Sequence, residues 1–120
     1  MDKIAVLGAG AWGTALARLL AERSRVALWT WQAEHARELL RDRENRAFLP
    51  GYALSETVLP TADMAEAVRD ASIVLVAVPS DAVRATLVAA KAALASDVTL
   101  VVVAKGIEPG TLMLLSEVTA

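Results

Sequence analysis

Cysteine is absent from the chain, which excludes disulfides, thiolate metal sites and a cysteine nucleophile, and points away from a stapled extracellular scaffold. Cytoplasm is therefore the expected compartment. Histidine occurs once, at His35, in the first turn of a charged helical segment, so it is set aside as a catalytic or metal residue. No metal-ligand spacing occurs elsewhere. Basic charge is not in excess either: 12 Lys and Arg against 14 Asp and Glu give a formal net charge of −2. Nucleic acids and anionic membranes usually need a basic face, so neither is an expected partner. Long apolar runs are missing too. Residues 73–78 and 98–104 are far shorter than the ~20 residues of a membrane span and read as buried strands. The first residues carry a lysine, but glycines interrupt them at once and no cleavage site follows, so export is not expected.

The 120 residues fit one compact domain, 1–120. Hydrophobic residues make up 56% and the mean hydropathy is +0.46, values suited to a parallel sheet buried on both faces. The most informative stretch is Ile4 to Ala17, IAVLGAGAWGTALA. It sets a GxGxxG between a short apolar run and an alanine-rich helical segment, the context that separates a dinucleotide turn from an ordinary glycine loop. Gly8 permits the tight turn out of the strand, Gly10 leaves bare backbone for a phosphate, and Gly13 lets the helix pack on the sheet. The unpaired N–H groups at the start of the helix then face the anion.

Patterning predicts strands at 3–7, 25–29, 57–59, 73–78 and 99–103, with helices near 12–22, 34–43, 63–68, 81–93 and 110–118. Residues 45–55 read as irregular, with Pro50-Gly51 as their turn. Asp63 with Glu66 has the spacing of a capping box. The cluster Arg41-Asp42-Arg43-Glu44 reads as a solvated helix end whose charges compensate locally. Alternation of strand and helix specifies an α/β, Rossmann-type doubly wound parallel sheet, whose ligands collect beyond the carboxyl ends of the strands.

That topology brings Ala11-Trp12, Trp31-Gln32, Pro79-Ser80 and Lys105 to one crevice. The second strand lacks the terminal Asp or Glu that holds a ribose 2′-hydroxyl, and the Arg that takes a 2′-phosphate. Its end reads Trp29-Thr30-Trp31-Gln32, which leaves NAD and NADP equally open. Trp31 either covers the adenine or only packs. Ser80 donates to a ligand or caps the helix after Pro79. Lys105 is by spacing alone a loop lysine, or a cation able to meet a phosphate or polarise a carbonyl oxygen.

Taken together, GAGAWGTALA, Asp42-Arg43-Glu44-Asn45, Phe48-Leu49-Pro50, Val78-Pro79-Ser80 and the loop from Lys105 to Thr111 closely resemble the amino-terminal part of bacterial NAD(P)-dependent glycerol-3-phosphate dehydrogenases. The resemblance spans essentially the whole chain. It implies hydride transfer between NAD or NADP and dihydroxyacetone phosphate or sn-glycerol 3-phosphate, in glycerophospholipid synthesis, by an enzyme expected to be a homodimer. By position it makes Ala11, Trp12, Trp31 and Lys105 cofactor contacts, and Lys105 also a contact to the phosphorylated substrate. In that family position 11 is often Ser and position 31 often His or Arg, so two polar groups are missing here.

The family's proton-transferring lysine and most of its phosphate-binding groups belong to a helical carboxyl-terminal domain outside these 120 residues. No catalytic residue is expected in this chain, and alone it should bind cofactor without turnover. Two rivals remain. A non-enzymatic nucleotide-binding sensor or regulatory module would use the same turn, but Lys105→Ala in the full-length protein would then leave its output intact. A two-domain dehydrogenase of another 2-keto or 3-hydroxy acid would not have its substrate displaced by glycerol 3-phosphate.

Overall fold

A computed structural model describes residues 2–103 and 112–114. Five strands run parallel in the order β5-β2-β1-β6-β7, with β8 antiparallel on the β7 edge. They span Lys3–Leu7 (β1), Arg25–Trp29 (β2), Val58–Thr61 (β5), Ile73–Val76 (β6), Thr99–Val103 (β7) and Leu112–Leu114 (β8). Helices α1 (Ala11–Leu20), α2 (Ala33–Asp42), α3 (Met64–Val68) and α4 (Val83–Lys91) connect them. The chain leaves β5 at one edge and returns as β6 beside β1. Strand order therefore reverses between β1 and β6, the place where doubly wound sheets bind ligands.

Alternate residues of each strand face opposite sides, which explains the two apolar cores. Val6, Val26, Leu28 and Val58 pack with Ala17 of α1 and Leu39 of α2. Leu7, Trp29, Val74 and Val76 pack on the other side with Ala67, Val68, Leu87 and Ala90 of α3 and α4. Asp63 caps α3 as its spacing predicts, accepting from the Glu66 N–H at 3.2 Å. At the far end of the helix the Lys3 ammonium donates to the Glu66 and Arg69 carbonyls at 2.9 and 2.7 Å, and burial pushes its pKa down.

Four expectations need correction. Residues 45–55 are not irregular: β3 (Glu44–Asn45) and β4 (Leu49–Ala53) form an antiparallel hairpin whose register slips by a bulge. Its turn lies at residues 46–48, and Pro50-Gly51 sit inside an exposed strand, where a missing N–H costs no buried ladder bond. Pro60 is tolerated in β5 for the same reason, since β5 is an edge.

The helix expected at 110–118 is replaced at Leu112–Leu114 by β8, which extends the open edge of β7; the remainder of that span lies outside the described residues. So short an apolar run carries no periodicity to separate helix from strand. Arg43 is more than a solvated helix end. It closes α2 in the left-handed conformation, φ 52°, and its guanidinium donates to the carbonyls of Ser55 and Val58, the latter at 2.8 Å, pinning the approach to β5. Finally, Ser80 caps nothing: it lies in a short 3-10 turn, Ser80–Ala82, and neither that turn nor α4 has a side-chain cap.

Candidate functional site

The turn from β1 to α1 is fixed by close approach on both sides. The Gly8 N–H donates to the Trp29 carbonyl at 2.9 Å, and the Leu7 carbonyl accepts from Ala77 at 2.8 Å. Gly8 itself has φ +126°, and a Cβ there would lie 2.5 Å from the Ala77 oxygen. At Gly13 a Cβ would lie 1.8 Å from the Gly8 oxygen. Both contacts are with backbone that has nowhere to go, so each position demands glycine.

Gly10 differs. A Cβ there meets nothing within 4 Å, and its backbone, φ −78° and ψ −169°, suits any residue. It is the N-cap of α1 and supplies no side-chain cap; the first turn carries no acidic residue. The leading N–H groups of α1 have no acceptor within the helix, and the positive end of its dipole adds to them. Two adjoining cavities open over this turn. One, about 240 Å³, lies toward the end of β2 and is bounded by Gly8, Gly10, Trp31, Gln32 and Pro79. The other, about 470 Å³, runs over Ala11, Trp12 and Gly13. Gly10, Phe48, Ala77, Val78 and Pro79 border both, so they form one cleft at the β1/β6 switch point.

Of the residues expected at the cleft, Gly8, Gly10, Ala11, Trp12, Gly13, Trp31, Gln32 and Pro79 border it, whereas Ser80 borders neither cavity. Lys105 lies outside the described residues. The end of β2 at Trp29 separates the two tryptophans. Trp29 is buried and donates from Nε1 to the Ala62 carbonyl at 3.1 Å, whereas Trp31 is 75% exposed at the cleft mouth. Glu34, the first carboxylate after β2, pairs with Arg37 on the exposed side of α2, and that guanidinium holds its pKa below the usual range.

The sequence reading missed Phe48 as a wall of the cleft. It is half exposed and its ring meets that of His35 at 5.6 Å between centroids; only the family-like motif around it gave any signal. His35, which the sequence sets aside as a catalytic or metal residue, is buried at the cleft floor. Its Nδ1 meets the Thr30 hydroxyl at 3.2 Å and its Nε2 meets Asn45 Oδ1 at 3.1 Å.

Comparison with known proteins agrees with this geometry. Residues 3–120 match the family model described as NAD-dependent glycerol-3-phosphate dehydrogenase N-terminus. The chain belongs to that family. A curated relative from Geobacillus thermodenitrificans, glycerol-3-phosphate dehydrogenase [NAD(P)+], is 47% identical over 98% of the chain. One of the same name from Corynebacterium glutamicum is 42% identical over 100% of it. The crystal structure of glycerol-3-phosphate dehydrogenase from Coxiella burnetii superposes with a TM-score of 0.83 at 32% identity, covering 91% of this chain and 34% of that one. The chain spans about a third of these relatives, 35% of the length of the first. Octopine dehydrogenase, at 19% identity and a TM-score of 0.67, shares the fold.

Proposed function

We propose that residues 1–120 are the dinucleotide-binding unit of an NAD(P)-dependent glycerol-3-phosphate dehydrogenase. One observation carries this reading: glycine is compulsory at positions 8 and 13, where backbone meets backbone, yet position 10 opens into empty space at an uncapped helix N-terminus. A diphosphate fits such a cradle, because bare N–H groups and the helix dipole supply what an anion needs and no side chain stands in the way.

In this reading Gly8, Gly10 and Gly13 form the cradle, and the N–H groups at Ala11 and Trp12 receive the diphosphate. Trp31 covers the adenosine end and Pro79 closes the opposite wall. Lys105, on the family resemblance, reaches cofactor and the phosphorylated substrate. The bound nicotinamide supplies a hydride acceptor or donor for the C2 carbon of sn-glycerol 3-phosphate or dihydroxyacetone phosphate. This chain's residues orient that ring and cover the cofactor from water; none is assigned the proton transfer. Such a general acid and base are usually worth ~10²- to 10⁴-fold, so the 120 residues alone bind without turning over. The names of the relatives support the substrate, and the resemblance supports a homodimer serving glycerophospholipid synthesis.

Calorimetric titration of NADH and NADPH into the purified chain, beside an assay of dihydroxyacetone phosphate reduction, tests the reading. Binding of at least one cofactor without reduction is expected. Absence of binding contradicts the first part of the reading, and measurable reduction contradicts the second.

A further inference from the structure

Asn45 stands out among the buried polar groups, because it connects the hairpin to the glycine turn. Its side chain is 1% exposed, and its Nδ2 donates both to the Ala9 carbonyl and to Thr14 Oγ1, each at 2.8 Å. A carbonyl oxygen only accepts, so the amide group must face Ala9 and the Oδ1 must face the other way. There it accepts from the Phe48 N–H at 3.3 Å and meets His35 Nε2 at 3.1 Å. His35 Nε2 therefore donates to Asn45 Oδ1, and its Nδ1 lies 3.2 Å from the Thr30 hydroxyl. That hydroxyl in turn accepts from the Gln32 N–H at 3.4 Å. The chain of bonds runs beneath the cleft from the end of β2 to the middle of the glycine turn.

The peptide between Ala9 and Gly10 is trans, so its N–H points opposite to its carbonyl. A carbonyl drawn down onto buried Asn45 turns the Gly10 N–H away from Asn45, at a glycine where a Cβ would meet nothing and which borders the cleft. A carbonyl that accepts a hydrogen bond also polarises the N–H of its own peptide. We infer that Asn45 is a positioning residue for the cofactor: it locks the Ala9–Gly10 peptide plane so that the Gly10 N–H is presented to the diphosphate, and His35 fixes its orientation. This inference rests on the dinucleotide reading above.

The test is NADH titration of the whole chain as wild type, Asn45→Ala and Thr14→Val, with thermal melts and the carbonyl ¹³C shift of Ala9. Both variants break a buried hydrogen bond in the network, but only Asn45→Ala frees the Ala9 carbonyl. Both should lower the melting temperature. Asn45→Ala should weaken NADH about tenfold, the scale of a lost buried hydrogen bond, and shift the Ala9 carbonyl carbon upfield. Thr14→Val should stay near wild type, within about twofold, in both readouts. Where Asn45→Ala does not fold, Asn45→Asp keeps the volume and the acceptor toward His35 but sets an oxygen against the Ala9 carbonyl, and should lose at least as much. Unchanged NADH affinity in a folded position-45 variant overturns the inference, as does an equal loss in Thr14→Val. A wild-type chain that takes up no NADH overturns the dinucleotide reading itself.

Discussion

The two walls of the cleft are built on different physics. At the glycine turn, contacts below van der Waals distance leave no choice of residue at Gly8 and Gly13, and the turn is held from β2 and from residue 77 together. At the end of β2, Thr30 to Gln32 lie beside the same cavity, but Trp31 is 75% exposed and Glu34 is occupied with Arg37. In the proposed reading the first wall is the one that holds the diphosphate. The second leaves open which dinucleotide binds, because selectivity between the cofactors needs a charge, and among the described residues this cavity is bordered by no carboxylate, lysine or arginine.

The strongest way to break that contrast is Gly13→Ala. A methyl 1.8 Å from the Gly8 oxygen must displace either the helix or the strand end, and the expected loss is ~3 kcal/mol or more by urea denaturation. A loss under about 1 kcal/mol would show that the turn is softer than its geometry. Trp31→Ala is the counterpart on the other wall. An exposed residue contributes little to the fold, so stability should change by less than ~0.5 kcal/mol, while NADH affinity should fall about three- to tenfold as an aromatic contact is removed. No change in affinity would make Trp31 a bystander. The smallest effect expected is the difference between cofactors: NADH and NADPH should bind within about tenfold of one another, since neither a carboxylate nor a guanidinium replaces the usual selector. A hundredfold preference would reveal a charge that faces the ligand.

The same contrast explains what was legible in the sequence. The tight contact between Gly13 and the Gly8 backbone is local and so legible in the letters, whereas Gly8 is held against distant Ala77 and Gly10 meets no atom at all; the β-branched runs of β6 and β7 carried their own assignment. What the letters hid depends on partners distant along the chain. Arg43 is a clamp only because Ser55 and Val58 return beside it. Pro50 sits in a strand only because that hairpin is exposed. Asn45 and His35 look like ordinary polar residues until the fold sets them under Ala9 and Thr30. Leu112–Leu114 becomes a strand because β7 offers an open edge. Trp31 and Pro79 were foreseen at the cleft because parallel topology puts strand ends together, which needs no side-chain detail.

Gly10→Val separates binding from folding most directly, because a Cβ at position 10 meets no protein atom within 4 Å and the side chain enters the space assigned to the diphosphate. Circular dichroism melts and NADH calorimetry on this variant and the wild type give both quantities from one pair of proteins. The account predicts a melting temperature close to wild type with NADH binding lost. Unimpaired NADH binding in the folded variant would contradict it.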